Sequence, residues 1–131
     1  MPKSIRLLLL SLVSLSALFT AGAAEEKAAP KPKQFLYVLR LVSRLHDDTA
    51  WTDADKAIIG RHFAHLKTAT ADRKVVFVGR TSEPGEHTFG LIVFESTDEA
   101  AARVFMASDP AVAEKIMTAE LHPFQVVLQR K

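Results

Sequence analysis

The stretch Thr88-Phe89-Gly90-Leu91-Ile92-Val93-Phe94-Glu95, followed by Ser96-Thr97-Asp98-Glu99 and then by Ser108-Asp109-Pro110, decides the fold of this chain. The first part is apolar, β-branched and aromatic, and reads as a strand. Ser96 and Glu99 have the spacing of a capping box, which predicts a helix over Ala100 to Ala107. The Asp109-Pro110 pair ends that helix and restarts a short one, with Asp as N-cap and Pro at the first helical position. A strand thus runs into a capped helix, and a carboxylate sits at the break.

Upstream, Phe35 to Val42 reads as a strand. Thr52-Asp53-Ala54-Asp55 fits a capping box, opening a helix that reaches about Thr70. Ile59, Phe63 and Leu66 recur at helical spacing and are expected to face the core. Lys74 to Thr81 is a second strand. In Glu83-Pro84-Gly85-Glu86, Pro then Gly occupy the central positions of a type II turn, which predicts a hairpin into a third strand, His87 to Glu95. Leu121 to Gln129 closes as a fourth strand. The order βαββαβ is the split βαβ pattern of a ferredoxin-like α+β fold, an antiparallel four-stranded sheet with both helices on one face. Both parities of the strands are apolar: Phe89, Leu91 and Val93 oppose Ile92 and Phe94, Tyr37 and Leu39 oppose Leu36 and Val38, and Val75 and Phe77 oppose Val76 and Val78. A bare apolar sheet face exceeds what soluble monomers expose, so a homodimer packed face to face is expected.

Met1 to Arg6 is a short basic segment, Leu7 to Phe19 an apolar run broken only by serines, and Thr20 to Ala24 are small residues. This is the pattern of a cleavable signal peptide over residues 1–24, cut after Ala23 or Ala24. The alternative is an uncleaved anchor, but the run is shorter than the roughly 20 residues a bilayer span needs and no apolar stretch follows it, so no membrane span is expected after cleavage. A periplasmic or secreted protein follows. Glu25 to Lys33 reads as an extended tether, leaving 34–131 as one domain. The chain has 17 basic and 15 acidic residues; without Lys3 and Arg6 the two are equal at 15. With no basic stripe and interleaved aromatics, no nucleic-acid partner is expected. With no cysteine, the core holds the fold without disulfides.

Few residues can carry chemistry. His62 and His65 lie three apart on the first helix, and either a boundary role or a general acid–base role fits them. The functional reading turns His65 into a cleft, with Asp109 fixing its tautomer; as an N-cap, Asp109 also has a structural reason to be there. Arg40 and Arg80 interrupt apolar strands and would favour a small anionic ligand if they face the cleft, as would His62. The alternative places the arginines at strand ends in solvent. No metal site is expected, because His46-Asp47-Asp48 and the His62/His65 pair lack a third ligand at a telling spacing. Glu120 and His122 read as a polar rim, and Trp51 as a staple or a cleft lid. There is no phosphate-binding glycine loop and no serine or cysteine nucleophile motif, so neither a cofactor nor a covalent mechanism is expected.

Phe35-Leu36-Tyr37-Val38, His62-Phe63-Ala64-His65-Leu66, Gly90-Leu91-Ile92-Val93, Ser108-Asp109-Pro110-Ala111-Val112 and Glu120-Leu121-His122-Pro123-Phe124 together resemble the YciI-like (YCII-related) family. The resemblance covers 34–131 in order. It implies a dimeric ferredoxin-like α/β barrel, and an active site made of a His on the first helix with the Asp of the Asp-Pro motif, by position His65 and Asp109. Some relatives are dehydrochlorinases of chlorinated hydroquinones and resemble muconolactone isomerases. The expected function is therefore cofactor-independent lyase or isomerase chemistry on a small cyclic or aromatic acid. The competing expectation is a non-catalytic periplasmic module that binds a small molecule or a protein in the same cleft. Two features depart from the resemblance: the signal peptide, since catabolic relatives act in the cytoplasm, and the second helix histidine, His62.

Overall fold

A computed structural model describes residues 29–130; the signal-peptide segment and the first four residues of the tether lie outside the described residues. The elements are β1 (Lys33–Leu41), α1 (Asp53–Ala71), β2 (Val75–Arg80), β3 (Gly90–Ser96), α2 (Glu99–Ser108), α3 (Pro110–Ala113) and β4 (Met117–Phe124), with short 3₁₀ turns before α1 and between β2 and β3. The four strands form one antiparallel sheet in the order β2-β3-β1-β4. This is the ferredoxin-like α+β architecture. Among the described residues, no helix is long and apolar enough to cross a membrane.

Strand alternation builds the core. Phe35, Tyr37 and Leu39 of β1 point to the helix face together with Ile92 and Phe94 of β3, and all five are buried. They meet Leu66 and Ala69 of α1 and Ala102 and Phe105 of α2. A second cluster of Leu45, Ala111 and Ile116 closes the end of the domain where α3 lies. On α1, Leu66 is buried and Ile59 half-buried, but Phe63 is 66% exposed. The expectation that Phe63 faces the core is corrected: the stripe is narrower than its spacing implied, and Phe63 stands at a cleft mouth.

β2 departs from simple alternation. Val75 pairs with Phe94 and Phe77 with Val93, so Val76 is an extra residue in a β-bulge. Beyond it, Val78 pairs with Ile92 and Arg80 with Gly90, which places Val78 and Arg80 on the helix face. Phe77 stays on the open face, where its ring lies against Gly79; a Cβ there would meet it at 2.7 Å. The expected sets Val75/Phe77 and Val76/Val78 are therefore resorted by one residue.

Three other boundaries move. Ser96 does not cap α2, because it still pairs with Lys33 as the last residue of β3; Asp98 caps instead, accepting from the Ala101 N–H at 2.8 Å. β4 begins at Met117, not Leu121, and stops at Phe124, because its pairing to β1 spans Gln34 to Leu41. Residues 125–130 continue outside the ladder, with Val127 and Leu128 exposed. Gly85 adopts φ +59° after Pro84, as the Pro-Gly pair requires, but the chain then makes a 3₁₀ turn over Gly85–His87 before β3.

The entry to α1 is held by the expected capping box. Thr52 accepts from the Asp55 N–H at 3.2 Å, and Asp55 accepts from the Thr52 N–H at 2.9 Å. Arg44 adds a bidentate bond to Asp55 at 2.8 and 2.9 Å. The Arg44 guanidinium and then the Thr52 backbone and hydroxyl donors hold the Asp55 carboxyl well below the usual carboxylate range. Its contribution to stability is thus present above about pH 4 and fades only as strong acid protonates it. Thr52→Ala should cost about 1 kcal/mol in urea unfolding, which for a domain of this size lowers Tm by about 4–8 °C.

Candidate functional site

The site is built around one carboxylate. Asp109 ends α2, its N–H bonding the Met106 carbonyl, and opens α3, its Oδ1 accepting from the Ala111 N–H at 3.0 Å. Pro110 follows at the first helical position, where a missing N–H costs nothing. Asp109 has no exposed surface. Its Oδ1 also lies 2.6 Å from His62 Nδ1 on α1, and its Oδ2 accepts from the Tyr37 hydroxyl on β1 at 2.9 Å. A backbone N–H, an imidazole and a phenol thus surround a carboxylate that has no water to replace them.

An ionised carboxylate only accepts, so the proton on this contact belongs to His62 Nδ1. That leaves Nε2 of the neutral ring as a lone-pair acceptor, the arrangement a general base requires. The His62 side chain is 14% exposed and reaches solvent through a cleft of about 480 Å³. Trp51, Phe63, Phe89 and Met117 supply apolar wall; Arg80 and Thr88 supply polar groups. Arg80 lies in the cleft because of the Val76 bulge; without it, the strand would turn Arg80 to the open face. A histidine and one cation thus share an aromatic-walled cleft.

Arg40 does not line this cleft. Its guanidinium lies 5.1 Å from the centre of the Phe89 ring and backs that wall from outside. His65 does not pair with Asp109 either. Its ring stacks on Phe105 at 5.3 Å, beside a separate groove bordered by Arg61, Thr68 and Lys74, and its Nε2 is buried without a hydrogen-bond partner. The expected His65–Asp109 pair is corrected to His62–Asp109. Three residues along a helix are a 4.5 Å rise and a 60° turn, by which His65 moves from the end of α3 to the side of α2.

The remaining candidates have structural partners. Trp51 donates from Nε1 to the Leu45 carbonyl at 3.2 Å and forms cleft wall rather than a free lid. His46 Nε2 lies 3.1 Å from the Leu41 carbonyl, and Asp47 caps the next 3₁₀ turn. His122 approaches Glu120 at 3.5 Å on β4. Among the described residues, no three His, Cys, Asp or Glu side chains converge as metal ligands. Tyr37 is the member that sequence reasoning passed over. Its signal was available: the chain's single tyrosine sits on the parity of β1 that carries Phe35 and Leu39, and a buried phenol needs a partner.

No protein-family model matches the chain, and no curated protein matches it. Among solved structures, it is similar to 5-chloro-2-hydroxyhydroquinone dehydrochlorinase from Burkholderia phenoliruptrix in complex with 2,5-dihydroxybenzoquinone. The TM-score is 0.55 at 15% identity, over 70% of this chain and 93% of that one. At that identity the likeness establishes the shared fold alone.

Burial, and then the charge and hydrogen bond of Asp109, push the Tyr37 phenol far above its ordinary value of 10.0. The folded protein therefore keeps a proton that the unfolded chain releases, so this contribution is intact below about pH 10 and is lost as pH rises further. Since Tyr37 is the only tyrosine, absorbance at 295 nm reads it alone. Tyrosinate should appear only together with the loss of far-UV circular dichroism; its appearance near pH 10 in folded protein would contradict the buried bond.

Proposed function

We propose that this is an exported, homodimeric protein that performs cofactor-independent lyase or isomerase chemistry on a small cyclic or aromatic acid. His62 is the catalytic base, Asp109 its positioning residue, and Arg80 the partner of an anionic group on the substrate. The observation that carries this reading is the 2.6 Å contact between His62 Nδ1 and the fully buried Asp109, which leaves Nε2 free in an aromatic-walled cleft. The activity of the structural neighbour, a dehydrochlorinase acting on a hydroxylated ring, supports the same chemical class. Export rests on the charge and apolar pattern of residues 1–24.

In this mechanism His62 Nε2 takes a proton from a ring carbon or hydroxyl. The released electron pair forms a new double bond. In an elimination the leaving group departs with its own bonding pair; in an isomerisation the proton returns at a second carbon. Nothing is oxidised or reduced, so no redox partner is required. Arg80 stabilises the oxyanion that develops on the ring. Asp109 holds the tautomer and stabilises the imidazolium that forms transiently.

The homodimer rests on the open sheet face. Leu36, Val38, Leu91 and Phe77 stand there, and the exposed Val127 and Leu128 of the terminal segment lie beside them, an apolar face of the kind that partners cover. Sedimentation equilibrium should give a dimer, and Phe77→Glu with Leu128→Glu a monomer of unchanged circular dichroism.

A binding module is the second reading, favoured by one observation: His62 is the sole histidine or carboxylate among the residues lining the cleft, so no separate acid stands ready to protonate a leaving group. Chloride release from 5-chloro-2-hydroxyhydroquinone separates the two. Catalysis predicts turnover by the wild type, with a fall of about 10²–10⁴-fold in His62→Gln. Binding of 2,5-dihydroxybenzoquinone in the cleft with no chloride release from the wild type would favour the binding module.

A further inference from the structure

The Tyr37–Asp109 bond has no counterpart in the reading above, which needs only a base and the carboxylate behind it. Three facts make it more than a buried polar group finding a partner. First, the phenol donates to Oδ2 while His62 Nδ1 lies on Oδ1, so both draw on one carboxylate charge. Second, Tyr37 has no exposed surface, and among the described residues its hydroxyl has no hydrogen-bond partner other than Asp109; its ring is locked edge-on against Phe94 at 5.6 Å and Phe105 at 6.3 Å. Third, its strand is an inner one, paired with β3 on one side and β4 on the other, so the donor is fixed to the sheet. A fixed donor on one oxygen limits how much charge is available at the other.

We propose that Tyr37 is a positioning residue of the dyad, which shares the Asp109 carboxylate with His62 and thereby sets how strongly that carboxylate grips the imidazole. The inference rests on His62 and Asp109 acting as a pair. Its chemical consequence is a balance. Too strong a grip would hold the imidazolium and slow return of the proton; too weak a grip would free the ring to rotate and lose the tautomer that points Nε2 into the cleft. Arg80 of β2 lines the same cleft as His62, and Arg61 of α1 forms an exposed ion pair with Glu114 at the end of α3. Neither hydrogen-bonds the Asp109 carboxylate, so Tyr37 is the side chain that competes with His62 for it.

The test requires no substrate. The Nδ1–H proton of His62, assigned in ¹⁵N-histidine-labelled full-length protein, reports the strength of its bond to Asp109. Tyr37→Phe, which keeps the ring and removes only the competing donor, should move that resonance downfield. Because the chain has a single tyrosine, biosynthetic replacement by a fluorinated tyrosine changes Tyr37 alone. A more acidic phenol donates more strongly and should move the same resonance upfield. Opposite signs for the two variants establish the sharing, and the fluorinated protein alone decides if Tyr37→Phe does not fold. If both leave the resonance in place while Asp109→Asn abolishes it, Tyr37 is a structural residue only and the inference is overturned with the dyad intact. If Asp109→Asn also leaves it in place, the dyad itself fails, and the inference with it.

Discussion

A carboxylate with no access to water must be surrounded by donors, and Asp109 meets that requirement with one donor from each of three elements. The backbone of α3 provides one, α1 provides the His62 imidazole, and β1 provides the Tyr37 phenol. Loss of any of these leaves a buried acceptor short of a partner, a cost of about 1–3 kcal/mol. The geometry of the helix break, the seating of α1 on the sheet and the orientation of the candidate base are therefore one problem with one solution. The dyad is as rigid as the fold because it is made from the contacts that position α1 against the sheet and α3.

Much of the architecture was legible because it depends on local rules. The Thr52/Asp55 capping box, the Asp109-Pro110 restart and the period of β1 act within a few residues of chain, and each is present where its residues stand. The βαββαβ order followed from these pieces and the handedness of crossovers. Failures arose wherever a partner elsewhere in the chain decided the matter. Ser96 has a good cap spacing, but pairing with Lys33 holds it in the strand and hands the cap to Asp98. Ala119 and Glu120 carry weak strand propensity, yet β1 offers them a ladder, and Pro123 is tolerated because β4 is an edge.

The candidate site divides in the same way. Asp109 was found because its structural role has a sequence signature. Choosing between His62 and His65 was not a sequence question: both lie at the edge of the same apolar stripe, and the choice depends on which one faces the end of α3 once α1 is docked. The sequence treats Arg40 and Arg80 alike, either both in the cleft or both at strand ends in solvent; their separation depends on the register of β2 and on Phe89, neither of which leaves a mark in the residues themselves. Tyr37 was missed because a tyrosine in a strand is read as bulk; its hydroxyl acquires meaning only when a carboxylate from 72 residues away is placed against it.

The bulge at Val76 bears on how this chain should be compared with others. An extra residue in one strand changes which side of the sheet the following side chains occupy without altering their order. Two homologues aligned without a gap through β2, one bulged and one regular, would carry the same arginine in the same alignment column on opposite faces, one toward the helices and the cleft and one toward the open side of the sheet. Column identity at this point is a statement about letters, and the side of the sheet has to be established separately for each member.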